Sequence, residues 1–395
     1  MTGPFDGIRV VDLTTVVSGP AATGMLVDQG ADVIKVETLS GDNARRSRAG
    51  PFPPMFISCN RGKRSIAIDL KQPKGAELLW RLIATADVLV QNFRPGTAER
   101  LGFGADIVCK RHPRLIYMSI SGVGETGPYA SKRVYDPLIQ ALSGLADIQS
   151  DPTSGRPKMT RTIVADKATA VYAAQAITAA LLHRERTGHG QHVRLSMLDT
   201  MLSYLWPEGM APFTIVAEGT RTHRNAAHDM IFEATDGYLT VGTNSDQEWQ
   251  GLCKALGRPE WLDDKRFATQ ALRNKNRQER MLLLDATFKA DTVAHWLDAL
   301  DQADVPCAPV LRRGEISDHP QVIANDIIQT IEHPDVGDVR QARPAARFEA
   351  TPAAIPGPAP YLGEHTRDVL IELGLDNADI AALQAAGTIK CHDTP

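Results

Sequence analysis

The sequence predicts an α/β protein with a doubly wound, Rossmann-like large domain and a smaller α+β domain. In the first 120 residues, apolar strand-like runs alternate with helical runs, which is typical of a parallel sheet. Residues 220–320 instead read as one strand followed by helical segments. After Pro306 the chain becomes rich in proline, which indicates an extended segment rather than a core element.

The predicted elements begin with a βαβ unit at the N-terminus. Residues 8–13 form an apolar run typical of a buried strand, and residues 31–37 form a second one. Between them, residues 21–29 favour a helix that ends at Gly30. A strand, a helix and a strand at this spacing imply two parallel strands.

Further elements continue this alternation. In the large domain we predict strands at 65–70, 88–90 and 115–120 and a helix at 74–84. In the smaller domain we predict a strand at 238–242 and helices at 249–256, 278–289 and 293–301. The final helices are predicted at 367–373 and 379–384. The chain is thus divided into a large domain at 1–215, a small domain at 216–320 and a C-terminal return segment at 321–395 that packs on the large domain.

The composition limits the classes of function. The 395 residues carry a net charge of −4, which argues against a mainly electrostatic nucleic-acid binder. The five cysteines include no CxxC pair, a pattern that fits reduced thiols. No stretch has the length of a membrane span, and the N-terminus lacks the pattern of a signal peptide. We therefore expect a cytoplasmic protein that binds neither nucleic acid nor a membrane.

The acidic residue Asp166 stands at the start of a strongly helix-prone stretch. An apolar run at 163–165 leads into it, and an alanine-rich segment follows and ends near Gly188. Asp is a preferred N-cap, so its position alone indicates a helix cap. The alanines leave little bulk around the carboxylate, so another backbone or a ligand can approach it. A carboxylate at such an open helix end can also act as a nucleophile in covalent catalysis.

Two other motifs carry weaker indications. Residues 122–127 match the dinucleotide-binding pattern GxGxxG, but Pro128 and Tyr129 stand where the phosphate-binding helix should begin. A glycine-rich loop at the edge of a pocket is the better interpretation. His189 and His192 are close in sequence, but no cysteine or carboxylate cluster joins them, so we predict no metal site.

Several basic residues fall in loops that follow predicted strands, where open α/β sheets bind ligands. They are Arg45, Arg46, Lys71, Arg94, Arg100 and Arg133. Cations gathered at this edge suit a ligand with several phosphates. A solvated surface is the alternative interpretation for any single one of them.

Short stretches along nearly the whole chain match the motifs of one known family, in order. Near the N-terminus they are 7–13 (GIRVVDL), 18–20 (SGP), 30–37 (GADVIKVE) and 41–45 (GDNAR). Further on they are 60–70 (NRGKRSIAIDL), 86–96 (ADVLVQNFRPG), 113–117 (PRLIY), 135–144 (YDPLIQALSG), 187–191 (TGHGQ) and 362–366 (LGEHT). On these motifs the sequence resembles the class III CoA-transferases, the family of formyl-CoA:oxalate CoA-transferase.

The resemblance implies an activity and an assembly. Enzymes of this family are expected to attack an acyl-CoA thioester with an aspartate that falls on Asp166 here, forming a mixed anhydride and then an enzyme-bound CoA thioester. A small carboxylic acid then takes the CoA, so CoA is a substrate and no cofactor is bound permanently. The family fold is an interlocked homodimer of two threaded chains, which suits the proline-rich segment 352–360.

The resemblance also carries over the residues that contact CoA. They fall on Val16, Val17 and Ser18, on Ile68, Asp69, Leu70 and Lys71, on Asn92, Phe93 and Arg94, and on Arg100 and Arg133. Two positions depart from the family pattern. Some members have an arginine where this chain has Thr38, and a glycine often found four residues after the nucleophile is Ala170 here.

Two alternative functions stay open on the sequence. α-Methylacyl-CoA racemase shares the fold and the aspartate, but it uses a histidine base where this chain has Tyr135 beside Asp136. Tyrosine is a poor general base near neutral pH because its reference pKa is about 10, so transfer is favoured. A non-catalytic acyl-CoA-binding protein is the other alternative, and the retention of Asp166 argues against it.

The acid substrate suggests a further group of residues. Tyr135 and Asp136 are candidates for substrate contact. A basic stretch at 221–228 adds Arg221 and Arg224, whose guanidinium groups would bind the remote carboxylate of a dicarboxylate such as succinate. A solvated linker is the alternative interpretation of this stretch.

Overall fold

A computed structural model describes residues 3–46, 52–151, 153–216 and 230–392. Within these ranges the chain forms two units. One consists of residues from Met1–Arg224 and Asp326–Pro395, and the other of residues from Asn225–Asn325. Strands and helices are numbered along the chain.

A seven-stranded sheet organises the first unit. Its strands are β1 (Arg9–Asp12), β2 (Asp32–Glu37), β3 (Arg64–Ile68), β4 (Val88–Gln91), β5 (Ile116–Ser121), β6 (His192–Ser196) and β12 (Ile389–Lys390). They are ordered β12-β3-β2-β1-β4-β5-β6, and each neighbouring pair is parallel except β12 with β3. The predicted parallel sheet is therefore confirmed. It could be predicted because its buried strands read as continuous apolar runs in the sequence. The strands β6 and β12 were missed.

The strand order reverses between β1 and β4. From β1 the chain moves to β2 and β3 on one side, and from β4 it moves to β5 and β6 on the other. This is the order of a doubly wound sheet. The crevice at the carboxyl ends of the two strands is where such sheets bind ligands.

Helices cover both faces of this sheet. The helices of this unit are α1 (Ser18–Asp28), α2 (Pro54–Asn60), α3 (Pro73–Ala84), α4 (Thr97–Arg100), α5 (Ala105–Arg111), α6 (Asp136–Leu142), α7 (Leu145–Ile148), α8 (Val164–Thr187), α9 (Met197–Leu205), α10 (Ala211–Thr214), α16 (Thr366–Glu372) and α17 (Asn377–Ala385), with a 3-10 helix at Asn43–Arg45. On one face, Ala22 of α1 and Ala170 and Ala173 of α8 are fully buried in a shared core. The room left by the alanines of α8 is thus taken up by α1. Helices α3, α5 and α16 pack on the other face.

The C-terminal part of the first unit contains a hairpin that the sequence analysis missed. Its strands, β10 (Ile328–His333) and β11 (Gly337–Ala342), pair antiparallel, with Thr330 opposite Arg340. The following residues 352–360 contain no helix or strand, as their prolines predict.

The second unit contains a small antiparallel sheet and several helices. An antiparallel sheet of β7 (Ile231–Glu233), β8 (Tyr238–Val241) and β9 (Cys307–Pro309) is joined by α11 (Asp246–Ala255), α12 (Gln270–Lys275), α13 (Arg277–Phe288), α14 (Val293–Gln302) and α15 (Pro320–Ala324). Short 3-10 helices occur at Pro259–Trp261 and Ile316–Asp318. Aromatic side chains form its core, notably Trp249, Phe267, Phe288 and Trp296. Across the described parts of both units, none of the helices is both long and apolar enough to cross a membrane.

Candidate active site

The loops that follow β1, β4 and β5 meet around a cavity of about 310 Å³. Of the predicted site residues, its walls include Val16, Ser18, Asn92, Phe93, Arg94, Arg133, Tyr135 and Asp166. The cavity lies where the strand order reverses, as expected for a ligand site in a doubly wound sheet. The fold thus brings residues from distant parts of the sequence to one place.

Asp166 is the third residue of α8 and is half-buried in the cavity wall. The interpretation of Asp166 as a helix cap is wrong, since the N-cap of α8 is Ile163, whose side chain makes no capping hydrogen bond. The Asp166 carboxylate is therefore not used to terminate its own helix. It is left available to a ligand in the cavity.

The carboxylate of Asp136, the first residue of α6, takes over the capping of α8. Its Oδ2 accepts hydrogen bonds from the backbone N–H groups of Ala165, at 2.7 Å, and Asp166, at 3.3 Å. Its Oδ1 accepts a hydrogen bond from Gln140 Nε2. Asp136 is only 2% exposed, so the structure places it behind Asp166 rather than in the cavity wall. A helix N-terminus stabilises such a buried carboxylate.

The surroundings of Asp166 shift its pKa in a direction that suits a nucleophile. Burial of the carboxyl group, and then the negative charge of Asp136, raise its pKa from 3.8 to about 6. Hydrogen bonding from the hydroxyl and the backbone N–H of Ser18 opposes this rise. At neutral pH the carboxylate is therefore mostly ionised, yet it is more basic than an ordinary aspartate.

The loop between β1 and α1 supplies the residues that face Asp166. Asn92, after β4, fixes this loop: its Oδ1 accepts from Thr15 N and its Nδ2 donates to Thr15 O, both at 2.9 Å. The next residue, Val16, has a φ of +71°, a left-handed conformation that is unfavourable for a β-branched side chain. Two residues later, Ser18 begins α1. The loop is thus held in an unusual conformation at the edge of the cavity.

Cationic side chains face the same cavity. Arg94 follows β4, and Lys132 and Arg133 lie in the loop between β5 and α6; all three are exposed wall residues. A second cavity of about 220 Å³ shares Arg94 with the first and adds Glu99 and Glu125. The larger cavity therefore combines one basic carboxylate with cations of the kind that bind phosphate.

The glycine-rich loop at 122–127 borders the cavity, as predicted, through Gly122. A Cβ added at Gly122 would lie 1.8 Å from Val134 Cγ2, so only glycine fits there. No helix begins between this loop and α6. A pyrophosphate therefore finds no helix N-terminus directly after the GxGxxG pattern.

Several predicted residues, besides Asp136, are not in the cavity walls or lie outside the described residues. Val17 is buried, and Arg100, on α4, is exposed and donates to Thr97 Oγ1 at 2.8 Å. Arg221 and Arg224 lie outside the described residues. The proposed carboxylate-binding role of these two arginines therefore stays a prediction.

The predicted group begins with Ile68, the last residue of β3, and continues with Asp69, Leu70 and Lys71, and β2 separates β3 from β1. Asp69 N donates to Thr388 O at 2.8 Å, and Asp69 Oδ1 accepts from Lys71 N at 3.1 Å. Ile68 and Asp69 contact the C-terminal segment, and none of the four residues lines either cavity. Only a ligand that extends beyond the cavity along this sheet edge could contact them.

Several wall residues were missed by the sequence analysis. They include Thr15, Asn43, Ser121, Lys132 and Met197. The charge of Lys132 beside Arg133 was a usable signal. The neutral residues gave none, because their position depends on how the loops come together.

His192, at the start of β6, makes a contact of 2.8 Å between its Nε2 and Ser119 Oγ. Burial lowers the pKa of His192, and the positive charge of Arg194 lowers it further. Within the described ranges, no group of three or more His, Cys, Asp or Glu residues could hold a metal ion.

The family model of CoA-transferase family III matches residues 5–366 of the chain. The chain belongs to CoA-transferase family III. The resemblance drawn from the motifs is thereby confirmed, and this family III chain is an enzyme of the CoA-transferase class.

Three curated family III relatives illustrate the likeness. The chain is 35% identical to succinyl-CoA:glutarate CoA-transferase of Mus musculus over 99% of this chain and 91% of that protein. It is 37% identical to acetyl-CoA:oxalate CoA-transferase of Acetobacter aceti, over 82% of this chain and 85% of that one. It is 33% identical to formyl-CoA:oxalate CoA-transferase of Escherichia coli O6:H1, over 97% and 99% of the two chains.

Two solved structures are similar to this family III chain. Rv3272 from M. tuberculosis superposes with a TM-score of 0.82 at 32% identity, over 92% of this chain and 98% of that one. A CAIB/BAIF family protein from Brucella suis has a TM-score of 0.82 at 33% identity, over 94% and 100% of the two chains.

Proposed function

We propose that this enzyme moves CoA from an acyl-CoA thioester to a small carboxylic acid through a covalent intermediate on Asp166. The observation that carries the proposal is the placement of Asp166. Its half-buried carboxylate, with a raised pKa, lines a cavity whose walls also carry Arg94, Lys132 and Arg133. The names of the curated relatives support the same class of reaction.

The first half of the reaction transfers the acyl group and then the CoA. The Asp166 carboxylate attacks the thioester carbonyl, CoA thiolate leaves, and a mixed anhydride forms. The thiolate then attacks the aspartyl carbon of the anhydride. This step releases the donor acid as a carboxylate and leaves CoA on Asp166 as a thioester.

The second half runs the same steps in reverse with the acceptor. The acceptor carboxylate attacks the aspartyl thioester and releases CoA thiolate, which then attacks the acceptor carbonyl of the new anhydride. The product acyl-CoA leaves and the Asp166 carboxylate is regenerated. Each tetrahedral intermediate carries an oxyanion, and the hydroxyl and N–H of Ser18 are the donors that face this place.

The CoA phosphates pair with cationic side chains in this proposal. Arg94 and Arg133 are the primary contacts, with Lys132 beside them. A charge-assisted hydrogen bond of this kind contributes about 1.5–3 kcal/mol. The cavity is small for a whole CoA molecule, so we propose that its nucleotide end contacts Arg100 and the group Ile68, Asp69, Leu70 and Lys71.

One of the two exchanged acids is proposed to be a small dicarboxylate. Each of the three curated relatives is named for a dicarboxylate, glutarate or oxalate, together with succinyl-CoA, acetyl-CoA or formyl-CoA. Tyr135 is 68% exposed and lines the cavity beside Asp166, where it can contact the acid. Arg221 and Arg224 remain the candidates for the remote carboxylate.

We also propose that the enzyme is an interlocked homodimer in the cytoplasm. Apolar side chains are exposed along consecutive helices of the first unit, including Val171 and Leu182 on α8, each 53% exposed. Tyr204, Trp206 and Phe213, at the end of α9 and on α10, are exposed as well. A second chain would bury such a surface. The five cysteines are free thiols, which fits a reducing compartment.

Trapping of the intermediate tests the proposal. The enzyme is incubated with succinyl-CoA and hydroxylamine, and the modified residue is located by mass spectrometry. We expect a hydroxamate on Asp166, with loss of CoA transfer but retention of CoA binding in Asp166→Asn. Asp199→Asn is the matched control, because Asp199 is also the third residue of its helix, α9, but does not line the cavity.

The outcomes separate the candidate functions. A panel of glutarate, oxalate and a monocarboxylate reports transfer as a new acyl-CoA. Epimerisation of a 2-methylacyl-CoA without transfer indicates the racemase alternative. Binding without either reaction, or a modified residue other than Asp166, contradicts the proposal.

A further inference from the structure

Beneath the loop that joins β1 to α1 lies a cluster of four charged side chains: Asp12, Lys35, Asp42 and Lys63. All four side chains are fully enclosed. Lys35 Nζ lies 3.0 Å from Asp42 Oδ2, and Lys63 Nζ lies 3.0 Å from Asp12 Oδ2. None of the four is in the cavity wall, so the cluster has no direct access to a ligand there.

A buried charge cluster is a poor means of stabilising a core. Removing charges from water is costly, and apolar residues of similar volume are often at least as stabilising as a buried ion pair. The polar contacts of the cluster therefore indicate its role better than its ion pairs do.

The cluster contacts the backbone of the loop at Thr14 and Val16. Asp12 Oδ1 accepts from Thr14 N at 2.9 Å, and Lys35 Nζ donates to Thr14 O at 2.9 Å. The two carboxylate oxygens of Asp42 accept from Val16 N at 3.2 and 3.3 Å. The N–H and C=O of Thr14 and the N–H of Val16 are thus fixed by the cluster, and Thr15 between them is fixed by Asn92.

These contacts hold Val16 in its left-handed conformation. A valine with a φ of +71° is strained, so the conformation persists only if the surroundings enforce it. The bonds to Thr14 and Val16 do so from inside the protein. Without these bonds, Val16 would relax to a negative φ, and the residues that follow it would move.

We propose that Asp42 and Lys35 are positioning residues, which keep Val16 left-handed so that the hydroxyl and N–H of Ser18 face the Asp166 carboxylate. This inference rests on the proposed function of Asp166. When the loop relaxes, the donors of Ser18 turn away and the oxyanion loses its partners. The cluster therefore acts on the reaction through the loop and not by touching the substrate.

The charged and titratable groups around Asp166 define what a pH profile will report. Asp136 on α6 raises its pKa, Ser18 on α1 lowers it, and the thiol of Cys59 on α2 interacts with it. Arg94, Lys132 and Arg133 face the same cavity. Of these groups, only Ser18 is attached to the loop that the cluster holds.

Asp42→Asn tests the proposal, with Asp28→Asn as its matched control. Asp28 forms a similarly buried ion pair with Arg61, 2.6 Å between Oδ2 and the guanidinium, but at the other end of α1. We expect Asp42→Asn to lower kcat by about 10- to 100-fold with a smaller change in KM for succinyl-CoA. The acid limb of its pH profile should move above about 6, because the hydrogen bonds of Ser18 that lower the pKa of Asp166 are lost. Asp28→Asn should lower the melting temperature alone.

Val16→Gly supplies a second, independent measurement. Glycine adopts a positive φ without strain, so the loop then depends less on Asp42. In a double-mutant cycle, the effect of Asp42→Asn on kcat should be several-fold smaller in the Val16→Gly background than in the wild type. Because each effect of Asp42→Asn is measured within one background, the direct effect of Val16→Gly on kcat cancels in the cycle. The proposal is overturned if Asp42→Asn has equal effects on kcat in both backgrounds. It is also overturned if the pH profile and kcat of Asp42→Asn match those of Asp28→Asn.

Two further measurements keep the result decisive. If Asp42→Asn does not fold, Thr14→Val loosens the loop without unpairing a charge, because it removes only the hydroxyl that donates to Asp12 at 2.5 Å. It should change kcat and the pH profile in the same direction, and an unchanged profile overturns the proposal. The pKa of Asp166 can also be measured without turnover. Infrared spectra of the protein with isotope-labelled aspartate are recorded against pH, and the spectra of the labelled Asp166→Asn variant are subtracted to isolate the Asp166 band. A wild type that transfers no CoA contradicts the proposed function, whereas an unshifted pKa in Asp42→Asn contradicts only this inference.

Discussion

The Oδ2 atom of Asp136 lies 3.3 Å from the backbone nitrogen of Asp166, so one carboxylate caps the helix that presents the other. The two negative charges are thus kept close together by the N-terminus of α8. Burial of Asp166, and then the negative charge of the same Asp136 side chain, raise its pKa. Position and basicity of the proposed nucleophile are therefore coupled through a single buried side chain.

The variant Asp136→Asn separates these two effects. The amide oxygen can still cap α8, but the charge that raises the pKa of Asp166 is gone. The pKa of Asp166 should fall below about 6, and the acid limb of the kcat/KM profile should move to lower pH. At pH 7 the less basic nucleophile should react more slowly. Asp147→Asn, which removes an exposed carboxylate on α7, is the control and should leave the limb in place.

Asp166→Asn should be more stable than the wild type above neutral pH. The folded pKa of Asp166 is raised to about 6, so ionisation opposes folding as pH rises from the unfolded value of 3.8 through about 6. Removing this charge should increase the free energy of unfolding by about 1–2 kcal/mol at pH 8, after allowance for partial exposure. Chemical denaturation at pH 4 and pH 8 checks this, since the difference should vanish at pH 4. A variant that is less stable at pH 8 contradicts the raised pKa.

Arg94→Ala and Arg133→Ala should raise the KM for acyl-CoA by about 10-fold or more each, because each removes a charge-assisted contact to phosphate. The effect should shrink as salt is added, since added ions screen the attraction. Titrations of KM at low and high ionic strength measure it. Lys110→Ala removes an exposed cation near the amino end of β5, at the opposite edge of the sheet. It should change neither the KM for acyl-CoA nor the dependence of this KM on salt.

Ala173→Leu should destabilise the enzyme by about 1–3 kcal/mol and lower its activity, because the larger side chain cannot fit between α8 and α1. Pushing the helices apart also separates Asp166, on α8, from Ser18, on α1. Urea denaturation and kcat measure the two effects. Ala382→Leu, at an exposed position of α17, is the matched control and should be nearly neutral. Stability and activity of Ala173→Leu that equal those of this control would falsify the close-packing argument.

The sequence predicts the parts of the site that depend on local patterns. Continuous apolar runs reveal the central strands, and motifs with family-specific spacing point to Asp166, Asn92 and Arg94. Gly122 was placed at a pocket because three glycines stand together after a strand. These features are encoded within a few neighbouring residues.

Tertiary contacts explain what the sequence could not predict. Asp136 is adjacent to Tyr135 in the chain and therefore read as a candidate for substrate contact, although it faces the end of α8. Lys35 interrupts an apolar strand, but nothing in that strand reveals that its partner is Asp42. The left-handed conformation of Val16 is contrary to the preference of valine, so no local rule predicts it.

The antiparallel pairing of β12 with β3 affects how the chain is made. Thr388 Oγ1 donates to Gln72 Oε1 across a separation of 316 residues, and Ile389 pairs with Ile68 beside it. At ribosomal speed, roughly 15–60 s pass between the emergence of these two segments. During that interval the edge of β3 has no strand beside it, and an unpaired edge can recruit strands from other nascent chains. The edge of β3 is therefore open to other nascent chains until β12 has been synthesised, whatever the stability of the finished fold.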